Sequence, residues 1–231
     1  MDGLRSFLAN FDFGQLGVLV LSAAATLLCL TVHELCHGLA AYCLGDSTAK
    51  RAGRLTLNPA AHLDWMGFAL MLIAHVGWAK PVPVDVRYFK KPKRDMALTA
   101  AAGPVSNVIL AAVSLLAGRL LLSFASEQAG EWLAWVILLL CYIAVLSVGL
   151  GLFNLIPIPP LDGSKLLFSV LPDRLYYGYL RYERYLLLVV VGLAWFGFFS
   201  GPLNGVMGWV LRALCTLTRF PFGYISYYFG F

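Results

Sequence analysis

The sequence predicts an all-α integral membrane bundle of about four to six hydrophobic segments, with a small β element at the membrane edge. The chain has 231 residues, of which 60% are hydrophobic and 13% are charged. A soluble domain has roughly 25% charged residues, and a soluble core of this size cannot hide so much apolar surface. No linker or change of composition divides the chain. We therefore expect residues 1–231 to form a single membrane domain, with its core at 14–172 and C-terminal spans at 185–217.

The first apolar segment, Gly14–Leu44, is longer than the roughly 20 residues that cross a bilayer, so we expect it to span the membrane. Before it, Met1–Asp12 lacks the basic start and the cleavage site of a signal peptide, so the segment is expected to stay in the mature protein. The second segment, Trp65–Ala79, has only about fifteen residues, which is typical of a re-entrant or interfacial piece. Whether it spans or re-enters is open at this stage.

Basic residues flank this short segment on both sides. Because cytoplasmic loops carry an excess of Lys and Arg, both flanks are predicted to be cytoplasmic, which favours re-entry. The flanking residues are Lys50, Arg51 and Arg54 before it, and Arg87, Lys90, Lys91, Lys93 and Arg94 after it.

Two later segments, Met96–Ala125 and Trp132–Ile156, are each long enough to cross the bilayer. A further apolar run from Leu186 to about Leu217 adds one or two spans. If the crossings alternate in direction, the C-terminal ends of Gly14–Leu44 and Trp132–Ile156 meet at one depth near the cytoplasm.

The first segment contains His33-Glu34-Leu35-Cys36-His37, an H-E-x-x-H motif. Residues i and i+4 of a helix lie about 40° apart, so His33 and His37 can bind one Zn²⁺ while Glu34 lies beside the position left for water. Ionisable side chains within lipid are costly unless they bind something. The motif therefore indicates a zinc site.

A catalytic zinc has three protein ligands, so a third ligand must come from elsewhere in the chain. The predicted topology puts Asp162 on the correct side of the membrane. It follows three prolines in the stretch Asn154–Gly163, which prevent a regular helix from continuing. Irregular backbone at membrane depth is tolerated where it is buried in protein or lines a wet cavity. The other candidates are His62, Asp64, His75, Glu127 and Glu131.

These two motifs together resemble those of the site-2 protease family of intramembrane zinc metalloproteases. The match consists of H-E-x-x-H on one transmembrane helix and N-x-x-P-x-P-P-L-D-G after a later one, and Ala102–Asn107 is similar to the family's G-P-x-x-N element. The resemblance covers roughly Leu19–Leu171.

The resemblance implies a role for each motif residue. His33, His37 and Asp162 would bind one Zn²⁺ per chain, and Glu34 would be the general base. Asn107 would hydrogen-bond the substrate or the oxyanion, and Asn154 would support the same cavity. Some relatives carry a PDZ-like domain, a nucleotide-binding domain or an extra first span. We expect none of these here, so substrate selection would depend on the membrane domain or on partners.

The five cysteines, none in a C-x-x-C motif, are predicted to be free thiols. Cys36 lies between the two motif histidines, where a thiolate ligand is conceivable, but a small packing residue is favoured. His75 lies in the short segment and has either a functional role or a hydrogen bond to a neighbour.

Two stretches beside the short segment, Arg51–Leu57 and Pro81–Tyr88, alternate apolar and other residues and are predicted to pair as strands. An exposed edge of such a pair could hold a substrate in extended form. The alternative is a solvated hairpin with no such role.

The sequence thus predicts a zinc metalloendopeptidase of the plasma (inner) membrane, with its active site toward the cytoplasm. Its expected partners are the lipid bilayer and a membrane-protein or peptide substrate. The net charge of +5 lies beside apolar segments, so nucleic acid is not expected. Two alternatives stay open: a non-catalytic zinc-binding or transport protein, and a structural or chaperone-like membrane protein without metal.

Overall fold

A computed structural model of the chain describes residues 13–67, 69, 80–125, 130–171 and 183–231. These residues form the helices α1 (Phe13–Cys43), α2 (Thr48–Arg51), α3 (Pro92–Phe124), α4 (Glu131–Asn154), α5 (Asp162–Phe168), α6 (Glu183–Trp195), α7 (Ser200–Thr218) and α8 (Phe222–Phe229). Single 3-10 turns lie at Pro59–Ala61 and Val86–Tyr88.

Three of the described helices, α1, α3 and α4, are long and apolar enough to cross a membrane. Residues Val189–Trp195 and Ser200–Thr218 pass the same test as a pair bent by 79°, which allows up to four spans in the described part of the chain. The predicted α-helical bundle of several membrane segments is thus confirmed.

The first helix and α4 run parallel to each other. A Cβ on Gly17 would touch the ring of Trp135, and twelve residues further along both helices the Cys29 Sγ atom lies 3.1 Å from the Ser147 hydroxyl. Because the two contacts are the same number of residues apart along both helices and in the same order, the helices run in the same direction.

Helix α3 runs antiparallel to both. His37 of α1 contacts Thr99 near the start of α3, whereas the earlier residue His33 contacts Asn107, which lies further along α3. These directions agree with alternate crossings, so the C-terminal ends of α1 and α4 lie at the same end of the bundle as the start of α3.

The main apolar core lies between α3, α4 and α7, and Leu115 and Leu211 within it are completely buried. Large apolar side chains on the outer faces are at least half exposed, as expected for surfaces that face lipid; examples are Ile109, Leu120 and Trp209. The buried members of the core are Ala111, Leu115, Ile137, Cys141, Ala144, Val145, Val148, Met207, Leu211, Leu214, Cys215, Phe220 and Ile225.

The end of α1 is set by Gly45, whose φ of 108° is accessible mainly to glycine. The N–H of Asp46 then bonds the carbonyl of Ala41 at 2.9 Å, which closes the helix in a Schellman-type turn. This turn directs the chain after α1 back across the end of the bundle.

The predicted β element is wrong, because the described residues contain no strand at either stretch. Arg51 ends α2, and Val86 begins a 3-10 turn. The prolines at 81 and 83 have no N–H to donate to a ladder, and the N–H groups of Val82 and Asp85 bond carboxylates instead of another strand. An edge that binds substrate by strand addition therefore has no strand to rest on in the described residues.

The described residues on either side of the short second segment lie next to each other. The N–H of Lys80 donates to the carbonyl of His62 at 3.0 Å, so these two described ends lie side by side. Residues 70–79, including His75, lie outside the described residues, and re-entry stays a prediction for them.

Candidate metal centre

The centre is built on the C-terminal half of α1. His33 and His37, one helical turn apart, are almost fully buried, and their rings meet edge to face at 4.5 Å between centroids. The two Nε2 atoms are 3.0 Å apart. Spacing by four residues on a helix places both side chains on one face, so this geometry follows directly from the motif.

Asp162 reaches the same point from the turn that follows α4, at the same end of the bundle. Its Oδ2 atom lies 3.1 Å from Nε2 of His33 and 2.9 Å from Nε2 of His37. The prolines after α4 prevent helix continuation, and Gly163 lets the chain fold back on the end of α4, because a Cβ at 163 would overlap the carbonyl of Leu155. The remaining oxygen, Oδ1, accepts a hydrogen bond from Lys165 Nζ at 3.0 Å.

Hydrogen bonds from α3 fix the tautomer of His37. Its Nδ1 lies 2.7 Å from the carbonyl oxygen of Thr99, which can only accept, so Nδ1 carries the proton. In the neutral ring Nε2 then presents a lone pair toward the cluster. A backbone carbonyl is a common partner of a metal-bound histidine.

His33 has the same arrangement, with Asn107 in place of Thr99. The side-chain nitrogen of Asn107 lies 3.2 Å from His33 Nδ1, while Oδ1 of Asn107 is buried with no partner among the described residues. The oxygen and nitrogen of an amide are assigned from such networks. Turning the amide over gives His33 Nδ1–H an acceptor in place of the unpartnered oxygen, and leaves Nε2 of His33 unprotonated.

The three converging atoms fit a zinc ion. Two imidazole lone pairs and a carboxylate oxygen, all acceptors, lie about 3 Å from one another. A tetrahedral Zn²⁺ with bonds of about 2.0–2.1 Å separates its ligand atoms by about 3.3 Å, close to the spacing seen here. With no proton between them, three such acceptors repel one another, and a bound cation removes this repulsion.

Gly103 of α3 makes room for the two rings. A Cβ at this position would lie 2.5 Å from Nε2 of His37 and 2.6 Å from Cε1 of His33. Any larger residue would therefore push the imidazoles out of the arrangement that converges on Asp162.

Glu34 lies beside the three converging residues and is not one of them. Its Oε2 atom accepts a hydrogen bond from the backbone N–H of Val82 at 2.9 Å. Cys36 is half-buried and is likewise outside the group of converging ligands.

The other predicted candidates lie elsewhere in the described part of the chain. The Asn154 amide donates to the carbonyl of Leu150 in its own helix, and no described hydrogen bond joins it to the centre. His62 bonds the carbonyl of Thr56, and Asp64 bonds the N–H of Gly67. Glu131 begins α4 at the opposite end of the bundle, and Glu127 lies outside the described residues.

Comparison with known proteins agrees with this chemistry. Residues 121–196 match the model of peptidase family M50. YwhC of Bacillus subtilis, which is named as a zinc metalloprotease, is 39% identical to this chain over 179 residues. The match covers 78% of this chain and 80% of the relative. The chain belongs to peptidase family M50. The expected membership of the site-2 protease family is thereby confirmed.

Two further relatives bear the same kind of name. Rip2 of Mycolicibacterium smegmatis is 29% identical over 88% of this chain and 82% of its own length, and Rip2 of Mycobacterium tuberculosis is 33% identical over 64% and 56%. No solved structure matches the chain. The family member described here is an integral membrane zinc metalloprotease with Zn²⁺ as its cofactor.

Sequence reasoning missed several residues that support the centre. The carbonyl of Thr99 carries no signal in the sequence, because every residue has a carbonyl. Lys165 follows Asp162 at a spacing of three, which places both on one side of α5 and could have been noticed. Gly103 and Gly163 lie within the motifs already singled out, but only the coordinates show what each would touch.

Proposed function

We propose that the chain is an intramembrane endopeptidase that hydrolyses peptide bonds in transmembrane or membrane-proximal segments of other proteins. The observation that carries the proposal is the convergence of His33, His37 and Asp162 inside a bundle of membrane-spanning helices. Such a task fits the release of a membrane-held protein or the clearance of a membrane remnant. Because the site is buried, a substrate must enter from the bilayer or its surface.

In this proposal His33, His37 and Asp162 hold the zinc. Zn²⁺ bound there supplies a Lewis acid that polarises the scissile carbonyl and lowers the pKa of water. The two imidazoles are oriented by the hydrogen bonds that they donate to the carbonyl of Thr99 and to the amide oxygen of Asn107, and Lys165 holds the oxygen of Asp162 that faces away from them.

Glu34 is the proposed general base. Its Oε2 is held by the N–H of Val82, which leaves Oε1 to take a proton from the attacking water and to pass it to the leaving amine. Asn107 and Asn154 are the proposed substrate-binding residues. With its oxygen on His33, Asn107 has an N–H₂ group left for the carbonyl oxygen that becomes negative. Asn154 would act only after its bond to Leu150 is exchanged for one to substrate.

The active site is proposed to face the cytoplasmic side of the plasma membrane. The end of the bundle that holds the centre also carries the clustered basic residues, from Lys50 to Arg54 and from Lys80 to Arg94. The positive-inside rule assigns such an end to the cytoplasm. Labelling of single introduced cysteines in intact cells tests this orientation.

The deciding experiment compares Glu34→Gln with the wild-type protein. We expect cleavage of membrane substrates to fall by more than about 100-fold, because the glutamine cannot accept the proton, while zinc content stays unchanged. Membrane proteomes of the two strains, with zinc measured by elemental analysis, give both readouts. Glu131→Gln, an exposed glutamate at the far end of the bundle, is the matched control and should cleave normally. Retained function of Glu34→Gln would favour a zinc-binding or transport protein instead.

A further inference from the structure

A short extended segment, Lys80–Asp85, crosses the active-site end of α1. We call this segment the strap. Between its two prolines, Pro81 and Pro83, Val82 has the only backbone N–H. That N–H donates to Oε2 of Glu34 at 2.9 Å. The strap therefore contacts the proposed general base through one defined donor.

The side chain of Val82 holds the strap against α1. It is 9% exposed and packs over Gly38, where an added Cβ would lie 3.3 Å from Val82 Cγ1. Gly38 is one turn beyond Glu34, so the strap lies directly along the helix that carries the base. A larger residue at 38 would lift Val82 away from α1.

Arg54 holds the other side of the same peptide group. This arginine, in the loop after α2, is 7% exposed, and its Nη2 atom donates to the carbonyl oxygens of Lys80 at 2.5 Å and Pro81 at 3.1 Å. The carbonyl of Pro81 and the N–H of Val82 belong to one planar peptide unit and point in opposite directions. Arg54 and Glu34 therefore hold the two ends of one rigid plane.

The charges favour this arrangement. The cation of Arg54 lies at the negative end of the peptide dipole, and the carboxylate of Glu34 lies at the positive end, so each hydrogen bond strengthens the other. The Nε atom of Arg54 has no partner among the described residues.

A second anchor fixes the far end of the strap. Asp46, fully buried just after α1, accepts the N–H of Asp85 at 2.7 Å and the N–H of Thr48 at 2.8 Å. Both anchors come from the short stretch that follows the helix bearing Glu34, Asp46 before α2 and Arg54 after it. The strap and the base are thus positioned by the same short stretch of chain.

We infer that Arg54 is a positioning residue of the peptidase, which aims the Val82 N–H at Glu34 and so fixes the orientation of the base. This inference rests on the proposed function, because it takes Glu34 to be the base. Arg54 does not touch substrate or zinc in this account; it acts through the Pro81–Val82 peptide.

Hydrogen exchange of the Val82 amide tests the structural step without any substrate. In the purified protein this amide should be protected, and both Arg54→Met and Glu34→Ala should speed its exchange by about tenfold or more. Pro81 and Pro83 have no amide hydrogen. A proteolytic peptide that begins near Lys80 therefore reports the exchange of Val82 with few other amides contributing to the signal. Arg51→Met is the matched control, since Arg51 bonds Ser47 and Thr48 and makes no described hydrogen bond to the strap. Unchanged protection in Arg54→Met would overturn the inference.

Cleavage of a fluorescently labelled transmembrane peptide in detergent micelles tests the catalytic step. We expect Arg54→Met to lower kcat by about 10- to 100-fold with KM and zinc content unchanged, because the base is misoriented and binding is not affected. Arg54→Lys, which can still donate to one carbonyl, should recover part of this loss. Arg51→Met should cleave like the wild-type protein.

A double-mutant cycle separates positioning from general damage. Glu34→Asp shortens the side chain and withdraws its carboxylate from the Val82 N–H, so adding Arg54→Met should then cost little further activity. An equal loss in both backgrounds, or a loss confined to KM or zinc content, would overturn the role of Arg54. Failure of the proposed function looks different, because Glu34→Gln itself would then cleave the transmembrane peptide.

Discussion

The side-chain amide of Asn107 lies 3.2 Å from Nδ1 of His33, on the edge of the ring opposite to Asp162. Asn107 is completely buried on α3, and His33 belongs to α1. One amide therefore couples the helix that carries the zinc motif to the helix that packs against it, and it can orient His33 in addition to the substrate-binding role proposed for it.

Substitutions at Asn107 separate these two roles. Asn107→Ala removes the acceptor for His33 Nδ1–H, so zinc affinity should fall by about 10- to 100-fold. Asn107→Asp keeps an oxygen acceptor and should retain zinc within a few-fold of wild type, whereas kcat should fall because no N–H is left for the substrate oxygen. Competition with a zinc chelator measures the first effect and steady-state cleavage the second. Equal zinc affinity in both variants and the wild type would exclude the orienting role.

Gly103→Ala should weaken zinc binding at the centre. Its methyl group would lie 2.5 Å from the His37 ring, and no flexible side chain can give way, because both imidazoles are buried. We expect zinc affinity to drop by at least about tenfold and activity to fall with it. Gly205→Ala on α7, with open space around its Cα, is the control for helix effects. Elemental analysis after dialysis reads out the difference, and normal zinc content in Gly103→Ala would contradict the geometry.

Metal removal should destabilise the bundle. Without a cation, three acceptor atoms about 3 Å apart repel one another, and the ligand linkage is lost. At a free Zn²⁺ concentration 100 times the dissociation constant, binding stabilises the folded protein by about 2.7 kcal/mol. Chelation should therefore lower the melting temperature in detergent, and added Zn²⁺ should restore it. His33→Ala should melt at the same temperature with and without chelator. A chelator effect that persists in this variant would point to metal bound elsewhere.

The stability contribution of Asp46 should depend on pH. Burial raises the pKa of this carboxyl, but hydrogen bonds from Thr48 and from the N–H of Asp85 outweigh it, so the folded-state pKa lies below its usual value. The stabilisation is therefore fully present above the unfolded pKa of about 3.9 and is lost as the pH falls through the lower folded value.

Asp46→Asn tests this sign. At pH 7 the variant should be less stable by about 1–2 kcal/mol, because its amide nitrogen faces a backbone donor. The difference from wild type should shrink below about pH 4. Melting temperatures by tryptophan fluorescence between pH 3 and 8 measure it, and a difference that grows toward low pH would show that another group dominates.

Much of the centre could be predicted from the sequence because its chemistry lies in side chains at helical spacing. His33 and His37 are one turn apart on any helix, and alternate crossing directions suffice to bring Asp162 to their depth. The directions of α1, α3 and α4 followed from the same reasoning. The motif that contains Asn107 was also recognisable, although its contact with His33 was not.

The contacts that could not be predicted involve backbone groups. Alternation in Pro81–Tyr88 suggested a strand, yet the N–H groups there bond the carboxylates of Glu34 and Asp46. A hydropathy pattern reports which side chains avoid water and says nothing about which acceptor takes a backbone hydrogen. For this reason the positioning role proposed for Arg54 has no signal in the sequence.

His33 and Asp162 are separated by 129 positions along the chain, and their meeting has a consequence for biogenesis. The ribosome must complete α4 and the proline-broken turn before the last proposed zinc ligand exists. A nascent chain that has inserted only its first helix can hold the metal with two imidazoles at most, and cannot hydrolyse the translocation machinery or its neighbours during synthesis. Activity would thus begin only once α4 and the turn after it have been inserted, with metal capture as the step that completes the proposed site.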